Sequence, residues 1–193
     1  MEFTSAWRRV RSQVLKVESW QVYQEPETQS LQAYLRGDFD QVEFLLEKEA
    51  DLDREVYEGV RSRGTPFIRV RLARFPLTGY LTFEMWNYVV RERRGETIEI
   101  VDLSSDPRPL PNPRYFDFLL FDQAVALIHD YGTDGLQVGG WLTTSTRTIE
   151  HLSTICADLR KRSTPLAAAI RSHDIKFRPP ALVGGRQDHR GRG

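Results

Sequence analysis

A single cysteine, Cys156, in 193 residues excludes an intrachain disulfide framework and a zinc site built on several thiolates. No apolar run approaches the ~20 residues that a membrane-crossing helix needs. The opening Met1-Glu2-Phe3-Thr4 has no signal-peptide core, so a cytoplasmic protein is the expectation. Net charge is also missing, with 27 basic side chains balancing 27 acidic ones. That balance argues against a globally basic nucleic-acid binder. Lysine is scarce, at 16, 48, 161 and 176 only, against 23 arginines. There is no G-x-G-x-x-G or phosphate-loop string, and no nucleophile elbow around Ser104-Ser105 or Thr143 to Thr146. His129, His151, His173 and His189 lack a second ligand at metal spacing, so neither a metal nor a cofactor is expected.

What is present is ordinary globular material, 40% hydrophobic and 28% charged, with aromatics at 11%. A chain of this length can bury a core of its own. The periodicity predicts helices over Thr4 to Val14 and Thr28 to Arg36. A longer one starts at the cap Asp38 and ends at Gly64, with room for a break near Asp51. Phe67 to Arg74 alternates as a strand with Ile68, Val70 and Leu72 inward and Arg69 and Arg71 outward together. Pro76 to Arg94 reads as a helix closed by Gly95, in preference to a strand with Tyr80, Glu84 and Trp86 on one face. Strands follow over Thr97 to Leu103, Phe116 to Phe121, Ala124 to Tyr131 and Leu136 to Leu142, the last two joined by the turn Gly132 to Gly135. Four prolines between Ser104 and Arg114 mark a loop. A helix capped within Thr144 to Thr146 runs to about Arg162 and restarts after Pro165.

The expected fold is α+β, with a mixed, mainly antiparallel sheet flanked by N-terminal and C-terminal helices. Residues 1–173 form one domain, mainly helical over 1–64, mainly strands over 65–143 and helical over 144–173. The stretch 174–193, rich in glycine, proline and arginine, is expected to be a disordered tail.

Charge is segregated along the chain. Nine carboxylates lie between Gly37 and Glu58 against Lys48 and Arg54, whereas Gly59 to Phe75 holds five arginines and no acid. Such blocks either neutralise each other across the fold or offer an acidic face to a basic partner. No residue set spells out a catalytic constellation. The candidate binding residues are Arg69, Arg71, Tyr80, Glu84, Trp86 and Asp122, with Glu84 expected to pair with Arg69 or Arg71. Tyr80 and Trp86 become interface anchors if exposed. A carboxylate-dependent hydrolase or nuclease would instead need Glu84, Asp102, Asp117 or Asp122 to converge with Arg69 or Arg71 in one cleft.

The run Arg69-Val70-Arg71, then Pro76-Leu77-Thr78, Tyr80-Leu81 and Phe83-Glu84, with Leu120-Phe121-Asp122 and the hairpin Tyr131 to Gly135, resembles an uncharacterised actinobacterial family. The likeness spans about Leu31 to Ala168 and departs at Arg91-Glu92-Arg93-Arg94-Gly95-Glu96. Members are often encoded beside helix-turn-helix regulators. The resemblance implies a small regulatory or accessory protein, a partner of such a regulator. The acidic helix Asp38 to Glu58, the strand with outward arginines and the lack of a convergent catalytic set lead to the expectation of a non-enzymatic module that binds a DNA-binding regulator or a second copy of itself. An effector hydrolase of a toxin–antitoxin-like pair is the alternative.

Overall fold

The structure, a computed structural model, describes residues 3–178. Its strands are β1 (Val14–Glu18), β2 (Phe67–Ala73), β3 (Glu96–Asp102), β4 (Phe118–Phe121), β5 (Val125–Asp130), β6 (Gly139–Thr143) and β7 (Thr164–Pro165). They form one sheet in the order β6-β5-β4-β1-β2-β3-β7. β2 pairs parallel with β1 and β3, and the other four pairings are antiparallel. The helices are α1 (Phe3–Arg9), α2 (Gln29–Leu35), α3 (Phe39–Leu52), α4 (Arg54–Ser62), α5 (Gly79–Arg94), α6 (Thr146–Arg160) and α7 (Leu166–Ser172). The α+β class and the mixed, mainly antiparallel sheet are as the sequence predicts.

Local chemistry sets the boundaries. Asp38 accepts a hydrogen bond from Gln41 N, Thr78 from Leu81 N and Ser145 from Thr148 N, each capping the helix it precedes. The long acidic helix breaks at Asp53, between α3 and α4. The helix expected from Pro76 begins only at Gly79, after the extended Thr78 cap, and Gly95 closes it with a φ of +108°, a conformation glycine adopts without Cβ strain. The first helix stops at Arg9 and Val14 already pairs with Phe67, so the predicted extension to Val14 fails. From Val14 to Glu18 the chain instead pairs in register with Phe67 to Arg71 of β2.

The sheet is covered on both faces, which overturns the outward placement of Arg69 and Arg71. All seven residues of β2 are buried. A central strand with helices on both sides has no solvent face. On one face Leu15, Val17, Ile68, Val70, Leu72, Phe118 and Leu120 pack against α6 through Ile149, Leu152, Cys156 and Leu159. The opposite face carries two apolar patches. Val14, Phe67, Leu119, Phe121 and Val125 meet α1 and α4, whereas Ala73, Ile98 and Ile100 meet α5 and α7. Between them the same face presents Lys16, Glu18, Arg69 and Arg71, because Lys16 pairs in register with Arg69 and Glu18 with Arg71.

The acidic block is largely neutralised within the fold. Glu47 pairs with Arg93 and Arg94, and Asp51 with Arg54 and Arg94. Of the stretch expected as a tail, Phe177 stacks on Trp86 at 5.8 Å and Arg178 pairs with Asp40 at 2.8 Å. Residues 179–193 lie outside the described residues. No described helix is long and apolar enough to cross a membrane.

Candidate functional site

The charged strip is the floor of a cleft of about 560 Å³. Its floor is Lys16 and Glu18 of β1, Phe67 and Arg69 of β2, Leu119 of β4 and His129 of β5. One wall is Trp7 of α1 with Tyr57 and Arg63 at α4. The other is Tyr80, Glu84, Asn87 and Arg91 of α5, with Tyr23 and Glu25 from the segment between β1 and α2 and Tyr131 after β5. The lining contains no serine, threonine or cysteine.

Part of this polar lining is consumed internally. Arg69 is 5% exposed and grips Glu96 through Nε to Oε2 at 2.8 Å and Nη2 to Oε1 at 3.0 Å. Its Nη1 donates to Glu18 Oε1 at 2.7 Å. Glu18 also receives the Tyr88 hydroxyl at 2.7 Å and lies 2.7 Å from Lys16 Nζ. Glu96 receives the Tyr57 hydroxyl at 2.6 Å, and Arg91 donates to that hydroxyl and to Asp53. Burial alone would raise the pKa of Glu18, but Arg69, Lys16 and Arg71 together hold it well below the usual carboxylate range. Glu96, equally opposed by burial, is held low by Arg69 and Arg91. These charges are paired and hydrogen-bonded, the condition under which burying them is tolerable.

Arg71 lies under the same wall, fully buried, donating to the Trp20 carbonyl and to the Tyr23 hydroxyl, the latter at 3.3 Å. Tyr23 in turn donates to Asp117, which also accepts from the Ser19 amide and hydroxyl at 2.8 Å each. Burial raises the Asp117 pKa against these hydrogen bonds.

The remaining groups are not consumed. Glu84 is 6% exposed, yet its one hydrogen bond among the described residues is from Asn87 Nδ2 on its own helix, at 3.3 Å. The expected pairing of Glu84 with Arg69 or Arg71 does not form, because Glu18 and Glu96 from the sheet already occupy Arg69. Half-buried Glu25 accepts from the Tyr80 hydroxyl at 3.1 Å. Burial, and next the Glu84 charge, push its pKa up to about 7. His129 has Nδ1 3.2 Å from Gln137 Nε2, while its buried Nε2 has no hydrogen-bond partner among the described residues. Burial, and next Lys16, lower its pKa to about 4, so it is neutral at pH 7.

Of the six residues singled out from sequence, Arg69, Tyr80 and Glu84 line the cleft and Arg71 lies beneath its wall. Trp86 is buried, 6% exposed, in the α2–α3–α5 cluster, and Tyr80 is 8% exposed, so neither is a surface anchor. Asp122 sits in the β4–β5 turn, away from the cleft. It accepts from the amides of Arg11, Ser12 and Gln13 and from the Ser12 hydroxyl, fastening the chain entering β1. Asp102 and Asp117 do not line the cleft either. Glu18, Glu25, Glu96 and Tyr131 were missed. The alternation Lys16-Val17-Glu18 offered a signal, since charges on one strand face call for partners; Glu25, beside Pro26 in an irregular segment, offered none. No group of three or more histidine, cysteine or acidic side chains among the described residues could hold a metal ion.

These features define a helix-covered mixed-sheet domain with an ionisable interior cleft. The chain belongs to the family described as a domain of unknown function, DUF6879, whose model matches residues 1–169. No curated protein matches it.

Proposed function

We propose that this domain binds a small polar molecule in the cleft and acts on it by general acid–base transfer, in the manner of a hydrolase. One observation supports this above the others. Glu25 and Glu84 share the cleft without the cationic partner that its other buried carboxylates, Glu18 and Glu96, possess. A carboxyl group with a pKa near 7 beside a like charge in a cleft is the usual arrangement of a catalytic acid or base. In this reading water attacks the substrate, Glu25 takes its proton as the base, and the proton is returned to the leaving group as the scissile bond breaks. Small esters, amides, phosphoesters and glycosides incubated with the purified protein test this. Turnover of at least one class, abolished by Glu25→Gln, is expected; no turnover in any class overturns the catalytic reading.

A second reading, protein binding, is favoured by β6. This strand is the edge of the sheet, and Val138 (64% exposed) and Trp141 (58%) stand out to solvent beside it. From Gly135 to Thr146 there is no charged residue, whereas sheet edges are ordinarily guarded by charge or proline. The partner in this reading is a DNA-binding regulator or a second copy, and the role regulatory within a cytoplasmic, actinobacterial setting. Sedimentation with and without the neighbouring regulator is expected to show a complex that Trp141→Arg dissolves; an unchanged monomer in both mixtures removes the reading.

A further inference from the structure

The chemistry of the unpaired end of the cleft specifies its occupant further. Glu84 is 6% exposed and, among the described residues, has no ion-pair partner and a single hydrogen bond, from Asn87 on its own helix. The cationic groups of the floor are already engaged, Arg69 by Glu18 and Glu96 and Lys16 by Glu18. Arg8 and Arg63, which have no carboxylate partner among the described residues, belong to the opposite, α1–α4 side of the lining, so an anionic ligand at the unpaired end would meet Glu25 and Glu84 instead. A neutral ligand would leave the Glu84 charge uncompensated. His129, the remaining titratable group of the sheet floor here, is neutral and does not repel a cation.

The surrounding rings fit the same chemistry. Tyr23 lies 5.9 Å from Tyr80 and 4.9 Å from Tyr131, centroid to centroid, and the steep interplanar angle of 63° in the second pair leaves ring faces turned toward different directions. The Tyr23 and Tyr80 hydroxyls are committed to Asp117 and Glu25, so the two rings border the cleft without a free donor. Tyr23 already has a cation on it, the Arg71 guanidinium at 5.2 Å from the ring centroid. Clustered aromatic faces beside carboxylates bind ammonium groups by cation–π attraction and charge.

We propose that the molecule taken by this cleft carries a protonated or quaternary amine, seated between the Glu25 and Glu84 carboxylates and the rings of Tyr23, Tyr80 and Tyr131. The proposal rests on the cleft being the working site, but not on catalysis there.

Three probes of one shape and different charge decide it: benzylammonium, benzyl alcohol and benzoate, titrated calorimetrically into the full chain at pH 7.5. Benzylammonium is expected to bind about tenfold more tightly than benzyl alcohol, with benzoate weakest. The near-isosteric Glu84→Gln should erase the preference. Glu25→Gln should reduce it, which guards against one variant failing to fold. The preference should also grow between pH 6 and pH 8 as Glu25 ionises, with Lys16 and Glu18 held as a pair throughout. Equal binding of the alcohol, tighter binding of benzoate, or no binding of any probe overturns the proposal. Amine binding without turnover of any substrate class would sustain it while ending the catalytic reading. Turnover confined to substrates without an amine, with no charge preference among the probes, would end this proposal alone.

Discussion

Arg69→Met is expected to destabilise the domain severely at neutral pH. The substitution keeps volume but leaves Glu18 and Glu96 buried with their shared guanidinium gone. Breaking a buried ion pair from one side costs about 3–5 kcal/mol, because the remaining charge is uncompensated. Here two carboxylates are stranded, and Lys16 and Arg91 can relieve each only in part. A domain of this size has about 5–15 kcal/mol in total, so the loss is visible as a large fall in the urea midpoint. The sign of its pH dependence is fixed by the same charges. With Arg69 present, Glu18 and Glu96 titrate below their unfolded values, so their contribution is complete above about pH 4.3 and lost as pH falls. Without Arg69 both carboxyls take up protons more readily in the folded state, and the defect shrinks toward acid pH. The triple variant Arg69→Met, Glu18→Gln, Glu96→Gln should recover much of the loss, since neutral hydrogen-bonding groups replace the stranded charges. An unfolding free energy within about 1 kcal/mol of wild type for the single variant would show that the network contributes little, as for exposed ion pairs.

The same arginine shows where sequence reading succeeds and where it stops. Helix ends and strand alternation depend on neighbours a few positions away, so the cap at Asp38, the closure at Gly95 and the alternation of β2 are legible, whereas the start expected at Pro76 lies ahead of the helix that Thr78 caps. Which face of β2 meets solvent depends on what covers the sheet. That is decided by α5 and the segment after β1, whose packing carries no local pattern. Alternation therefore gave the right strand and the wrong environment for Arg69 and Arg71. The candidate site followed the same division. Sequence singles out Glu84 as an ion-pair partner for the basic strand and Tyr80 as an interface anchor, whereas Glu25, which accepts from the Tyr80 hydroxyl, lies far from both along the chain in an irregular segment. Asp122 was a plausible ligand by residue type alone; its positive φ of 53° and three backbone amides show a turn-fastening role that only the fold reveals.

Glu25→Gln removes general-base catalysis, and the expected loss is about 10²–10⁴-fold in kcat/KM. In the wild-type protein kcat/KM is expected to rise with pH through about 7 as Glu25 in the free protein gives up its proton. Glu84→Gln takes away the like charge that raises this pKa, so the rising limb moves to lower pH even where residual activity persists. The same carboxyl leaves a mark on stability that needs no substrate. Its folded pKa is raised above the unfolded value of about 4.3, so the folded state holds a proton that the unfolded chain has released. Stability from this group is fully present below about pH 4.3 and is lost as pH rises to about 7. His129, depressed to about 4, slopes the opposite way over much of that range, and Asp117 adds its own. The informative quantity is thus the difference between wild type and Glu25→Gln across pH 4 to 8, in which both of those contributions cancel. The variant should gain stability relative to wild type progressively toward pH 7 and hold that gain above it. A protein that becomes more stable when a buried carboxyl is neutralised, and loses its activity by the same change, has kept that group for chemistry rather than for folding. A flat difference curve would mean that Glu25 titrates as an ordinary carboxylate, and the acid–base reading of the cleft would fall with it.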